Sequence, residues 1–348
     1  PGSGRQVYNF NPGWRFFRGD VQGAEAVNFD DRSWNVVSTP HTVELMPAEG
    51  SGCRNYQGPT WYRKHFVLPA ETKGQRVVLH FEAAMGKQIL YLNGKRIQEH
   101  LGGYLPFTLD LTANGVQAGD SCLLAVFTDN SDDKSYPPGK RQYTLDFAYH
   151  GGIYRDVWMI AKSPVAITDA IDSQTVGGGG VFVHFDKISE KSAQVYVNTE
   201  VQNDDARSES VTVETTLADA DGKVIKRSLG KLSLKPGEKK SIRQQMEVKN
   251  PTLWSPDTPY LYRVQSRIKK GNKSIDGGIT RVGIRLAEFR GKDGFWLNGK
   301  PFGQLVGANR HQDFAYVGNA LPNSQQWRDA KRLRDAGCTI IRVAHYPQ

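Results

Sequence analysis

A chain of 348 residues, 38% hydrophobic and 23% charged, is long enough for about two or three ordinary domains and has the balance of a globular protein. It has no run of about eighteen apolar residues, which excludes a membrane-spanning helix. The formal charge of +9 would suit a polyanion, but the basic residues are scattered. The densest stretch, Lys223 to Lys273, includes Lys235, Lys239, Lys240, Arg243, Lys269 and Lys270. Spread over strands and turns, it reads as a solvated face. No helix-turn-helix, zinc-finger or RNA-recognition pattern accompanies it, so nucleic acid is not the expected partner, while an acidic polysaccharide stays open.

The opening Pro1-Gly2-Ser3-Gly4 reads as a cloning remnant or as a mature terminus left by processing. From there to residue 163 the chain reads as short strands between turns. The runs 77–81 and 88–92 are rich in β-branched and aromatic residues, and Asn93-Gly94 follows the second. Asn-Gly is a strong hairpin signal because both residues tolerate positive φ. Trp14, Phe16, Phe17, Trp34, Trp61 and Tyr62 add large apolar side chains. The pattern predicts a two-sheet sandwich of jelly-roll type over 1–163. Of three cysteines, Cys53, Cys122 and Cys338, none makes a metal-binding Cys-x-x-Cys spacing and an odd number builds no disulfide framework. Cys122, in an apolar run, is expected to be a small buried hydrophobe.

Over 164–285 the alternation sharpens. Val195, Val197, Thr199 and Val201 point one way, and Tyr196, Asn198 and Glu200 the other. Residues 211–217 repeat the pattern and Asp221-Gly222 supplies a turn, which predicts an immunoglobulin-like sandwich without its disulfide. The tract Gly177–Gly180 reads as a surface loop.

Residues 286–348 change character. A hairpin is expected around Asn298-Gly299, then a short buried strand over 304–307. Asn323 or Ser324 can cap a helix in which Trp327, Ala330, Leu333 and Ala336 recur at helical spacing before Gly337 stops it. A second buried strand follows over 339–343. Strand, helix, strand is a βαβ unit and demands a parallel sheet. Two such strands and one helix cannot cover their own apolar faces, so the natural protein is expected to continue past Gln348. The fold class is therefore mainly β: jelly roll, immunoglobulin-like sandwich, then a βαβ unit that is cut short and whose missing part completes a sheet or a barrel.

His311 directly follows the first of these parallel strands and His345 the second. In a barrel these are C-terminal strand ends, where active sites lie. Two histidines at equivalent ends of adjacent strands can face one pocket. No Ser-His-Asp triad, phosphate loop or zinc motif is visible.

Five runs, in order, resemble glycoside hydrolase family 2, the β-galactosidase-like enzymes. They are YHGGIYRDV at 149–157, LWSPDTPYLY at 253–262, GIR at 283–285 with FWLNGKP at 295–301, NRH at 309–311, and RVAHYP at 342–347. Ala344 stands where the last motif usually carries serine. The resemblance covers nearly the whole chain and implies that the βαβ unit is the first of a (β/α)8 barrel that is cut short. It implies that His311 and His345 bind the sugar at the non-reducing end, and that Asp146 reaches the same pocket from the jelly roll. Arg310 would shape the site by pairing with a carboxylate; Tyr56 and Gln57 lie where relatives donate a loop residue. Arg155 and Arg342 are expected to be structural.

Retaining hydrolysis needs two carboxyl groups about 5–5.5 Å apart. The resemblance places both catalytic glutamates beyond Gln348, so no catalytic residue is assigned in this chain. It implies a retaining exo-β-glycosidase acting on a carbohydrate, with β-galactosidase preferred and β-glucuronidase or β-mannosidase as alternatives. No cofactor is expected, although relatives sometimes bind magnesium or sodium and are often homo-oligomers. An exported bacterial enzyme fits. The reading of another class is a non-catalytic carbohydrate-binding protein, with Trp61, Tyr62 or Tyr136 as an aromatic platform.

Overall fold

Asn93 and Gly94 take φ of 51° and 81° and close a tight hairpin between strands Lys87–Leu92 and Lys95–Leu101, as two residues tolerant of positive φ should. Asn298 and Gly299, at 53° and 76°, do the same between Phe295–Leu297 and Lys300–Pro301. The computed structural model describes residues 3–47 and 55–346. Cys53, Pro347 and the first two residues lie outside that range. The described chain forms two units: residues 7–160 with 307–346, and residues 3–6 with 161–306.

The first unit is built on two sheets, of which the larger is antiparallel. One has six strands in the order Asn35–Val37, Trp14–Arg18, Pro59–Val67, Ser121–Asp129, Lys87–Leu92, Lys95–Leu101. The other has four, in the order Gln6–Asn9, Val157–Lys162, Arg76–Phe81, Phe107–Asp110. Trp14, Tyr62, Phe81, Leu79, Leu109 and Leu124 are fully buried between them, and Phe81 stacks on Phe107 with centroids 4.7 Å apart. Burying each such side chain contributes about 1.5–3 kcal/mol. Trp61 and Tyr62, offered above as a sugar platform, are core residues at 4% and 0% exposure; central strands bury both of their faces. Cys122 is buried, and burial pushes its thiol up.

This unit also holds the parallel pair, strands Gly307–Arg310 and Ile340–Val343, joined by helix Asn323–Asp335. Three expectations fail here. The first strand begins at Gly307 and does not run over 304–307. Both strands are largely exposed rather than buried, with Ile340 at 45% and Val343 at 47%. The helix buries none of its residues either, and Trp327 is 68% exposed, as expected of a unit that cannot cover its own apolar faces. Hydrophobic periodicity marks which face seeks cover, not whether cover is present. Nor do Asn323 or Ser324 cap the helix. The cap position is Pro322, without a side-chain bond, and the Asn323 amide donates to Asp156 Oδ2 at 3.1 Å.

In the second unit the alternation of 195–201 becomes the central strand Ser192–Asn203. It pairs with Val165–Ile167 and Val181–Asp186 on one side and Lys239–Lys249 on the other. A second sheet runs Val224–Leu234, Glu209–Ala218, Tyr262–Lys270, Lys273–Val282. Val195, Val197, Leu217, Val264 and Ile284 fill one half of the sandwich; Val201, Val211, Val213 and Ile268 fill the other. Arg5 joins this unit, its Nε and Nη2 donating to the fully buried Asp276 carboxylate at 2.8 and 2.9 Å.

Candidate functional site

The parallel register sets Asn309 against Arg342 and Arg310 against Val343. His311 and His345 therefore leave adjacent strands one and two residues beyond the last paired position. The Ala344 N–H donates to Arg310 O at 3.1 Å and ties the two exits together; the peptide between Ala344 and His345 is cis. The imidazole centroids lie 5.4 Å apart, nearly perpendicular at 86°.

Asp146 comes from a long loop after strand Ser121–Asp129, and that loop is laced internally. Gln142, buried, takes the Tyr149 N–H on Oε1 at 2.7 Å, and its own N–H donates to Asp132 Oδ1 at 3.0 Å. Asn130 Nδ2 donates to Tyr149 O at 3.2 Å, and the Tyr149 hydroxyl donates to Asp132. Burial first, then the Asp132 carboxylate, push the Tyr149 phenol up, so it stays a donor. The loop delivers Asp146 Oδ2 to 3.6 Å from His345 Nε2. That is longer than a good hydrogen bond, so a ligand hydroxyl between them could engage both. Asp146 keeps 72% of its side chain exposed and His345 30%.

An aromatic wall backs these polar groups. Phe147 sits 5.7 Å from His311, 5.8 Å from His345 and 5.2 Å from Tyr346, between ring centroids. Tyr346 brings its hydroxyl to 3.3 Å from His311 Nδ1 and stacks on Tyr104 at 4.5 Å and 3°. Burial pushes both tyrosines up. A cavity of about 370 Å³ lined by His80, Glu82, Tyr104, Tyr154, Arg155 and Gln312 shares Tyr104 with this wall.

The remaining nominated residues lie one step away. Arg310 Nη2 donates to Asp329 Oδ2 at 2.7 Å, a pairing with a carboxylate that holds the helix to the strand. Arg342 Nη1 donates to Asn309 Oδ1 at 3.4 Å, across the two strands. Gln57 Nε2 donates to Asp132 Oδ1 at 2.9 Å, so it braces the loop that carries Asp146. The Tyr56 hydroxyl donates to Pro59 O at 2.8 Å within its own turn. Phe147, Tyr346 and Tyr104 were not nominated from the sequence. The first two adjoin nominated residues and could have been; Tyr104 carries no local signal. Among the described residues no group of three or more His, Cys, Asp or Glu side chains could hold a metal ion, and no helix is long and apolar enough to cross a membrane.

Two imidazoles able to donate and accept, one carboxylate and an aromatic wall suit a polyol with an apolar face. The set supplies orientation, with no paired carboxyls for bond cleavage.

Comparison with known proteins identifies the family. Residues 18–164 match the sugar binding domain of the glycosyl hydrolases family 2, residues 179–285 match the family 2 domain that follows it, and residues 289–348 match the family's TIM barrel domain. A β-galactosidase of Thermoanaerobacter pseudethanolicus is 34% identical over 99% of this chain and 44% of its own length. A β-glucuronidase of Formosa agariphila is 33% identical over 99% of this chain and 36% of its own. The solved structure of Bacteroides uniformis β-glucuronidase 2, covalently bound to cyclophellitol-6-carboxylate aziridine, superposes with a TM-score of 0.87 at 31% identity. It is covered over 40% of its chain and 99% of this one. The chain thus spans less than half the length of these relatives, and it reaches only the start of the barrel. It belongs to glycoside hydrolase family 2.

Proposed function

We propose that Asp146, His311 and His345 hold the hydroxyls of the terminal, non-reducing sugar of a β-glycoside. The complete protein is then a retaining exo-β-glycosidase whose two catalytic glutamates lie beyond Gln348, and the present chain alone is inactive. One observation carries the reading. Two histidines at the ends of adjacent parallel strands lie 5.4 Å apart, and a carboxylate delivered by a separate loop stands 3.6 Å from one of them. Hydrogen bonds to ring hydroxyls that tighten as the oxocarbenium-like transition state forms raise the rate without touching the scissile bond.

Galactose is the preferred sugar. Asp146 accepts from a hydroxyl but repels a uronate carboxylate, and the nearby Arg310 guanidinium is engaged by Asp329. The similarity to a β-galactosidase of Thermoanaerobacter supports the same choice. β-Glucuronidase is the second reading, supported by the names of the Formosa and Bacteroides relatives; no feature of the site favours β-mannosidase. A panel of aryl β-glycosides given to the complete protein tests both levels. Turnover of the galactoside above the glucuronide supports the preferred sugar, and the reverse order selects the second reading. His345→Ala should cut turnover about tenfold to a hundredfold, the loss of one or two hydrogen bonds. Unchanged turnover removes His345 from the site. No hydrolysis of any glycoside favours the non-catalytic carbohydrate-binding alternative.

A further inference from the structure

The outer face of one sheet in the second unit plays no part in that site. Its strands run Val224–Leu234, Glu209–Ala218, Tyr262–Lys270, Lys273–Val282. Val211, Val213, Leu217, Val264 and Ile268 point into the core. The two-residue alternation of a strand therefore turns Glu214, Arg263, Arg267 and Lys269 outward. Register then sets Lys231 and Lys269 on either side of Thr212, Arg227 beside Thr216, and Arg263 beside Arg281. Basic residues that look dispersed along the sequence converge here. Arg227, Lys231, Arg263, Arg267, Lys269 and Arg281 share one face, with the Glu214 carboxylate among them.

Glu214 is only 6% exposed and lies 3.9 Å from Arg227, 3.7 Å from Arg267 and 3.7 Å from Lys269. One carboxylate cannot neutralise six cations. They are held at strand spacings of about 4.8 Å sideways and about 7 Å along the strand. Such an array repels itself and attracts an extended polyanion. Between the cations stand Thr212 and Gln265, which can bond hydroxyls, while Leu229 and Ile279 are 63% and 60% exposed. No aromatic side chain stands among them to stack on bases, as binding of single-stranded nucleic acid commonly requires.

We infer that this face binds an anionic polysaccharide, carboxylated or sulfated, apart from the site at the histidines. The inference shares with the proposed glycosidase only the carbohydrate class of its partner. Affinity electrophoresis of the 348-residue chain in gels holding a polyuronate, a sulfated galactan or a neutral galactan tests it, with single-stranded DNA titrated in parallel. Retardation by a charged glycan and not by the neutral one is expected, fading as salt is raised. Which charged gel retards more identifies the anionic group. The triple variant Arg227→Gln, Lys231→Gln, Arg263→Gln should bind about tenfold more weakly. The variant Lys187→Gln, Lys191→Gln, Lys249→Gln, an equal charge change elsewhere on the same unit, should bind as the native chain does. Aryl glycoside turnover by the complete protein should be the same in both variants, so this inference and the glycosidase reading can fail separately. No retardation by either charged glycan, equal loss in the two variants, or tighter binding of DNA than of both glycans overturns it.

Discussion

Arg63 is fully buried, and the Asp31 carboxylate accepts its Nε–H at 2.8 Å with 9% of its own side chain exposed. The guanidinium also donates to the carbonyls of Ala24, of Ala26 at 3.0 Å and of Phe29 at 3.3 Å, so it pins the loop between two jelly-roll strands. Burial pushes the Asp31 carboxyl up, but Arg63 and His65 outweigh it and hold it below its ordinary value. Asp31→Asn keeps the shape and removes the charge. It leaves a buried cation facing three carbonyls and no anion, which costs about 3–5 kcal/mol; the surviving carbonyl bonds put the expectation near about 3 kcal/mol. Arg63→Met should cost at least as much, because it orphans the three carbonyls and strands Asp31 with His65 alone at 3.0 Å. In a double-mutant cycle the two losses should couple strongly. Thermal unfolding read by near-ultraviolet circular dichroism checks it, with a drop of about 6–12 °C expected for Asp31→Asn at about 2–4 °C per kcal/mol. A drop below about 2 °C would refute the claim that the pair is a desolvated, interdependent unit.

Burial lowers the His41 pKa to about 4, against about 6.5 in the unfolded chain. Its stability contribution is therefore complete above pH 6.5 and is lost as pH falls toward 4, up to about 3 kcal/mol; unfolding at stepped pH should give a shallower slope in His41→Gln than in the native chain. Gly152 has φ +114°, and a Cβ there would meet His41 O and the Tyr62 hydroxyl, each at 2.7 Å. Gly152→Ala should cost about 2 kcal/mol or more, read as a lower melting temperature. Asp276, fully buried, takes Arg5 and the Ile167 N–H at 2.7 Å. Asp276→Ala should cost about 3–5 kcal/mol, and an equal melting temperature would show that the N-terminal segment does not clamp the second sandwich.

What the sequence disclosed was local. Asn93-Gly94 and Asn298-Gly299 state their turns because positive φ is a property of those two residues. The valines of 195–201 state their buried face because strand periodicity is intrinsic. His311 and His345 were legible because strand ends can be located within about two residues. Tyr104 on Tyr346 and Gln57 on Asp132 were not, since these contacts join distant segments through sheet order. The outer basic face was hidden for the same reason: Arg227, Lys231, Arg263 and Arg281 meet only through strand register. Burial of the parallel strands was misjudged because an apolar run states a preference for cover and says nothing of what provides it.

Titration of the complete protein with a galactose-configured iminosugar, native and as Asp146→Ala, His311→Ala and His345→Ala, tests the sugar site most directly. Each loss of a hydrogen bond to the ligand should weaken binding about tenfold or more without lowering the melting temperature. Native affinity in all three variants would contradict the assignment of these side chains to the sugar.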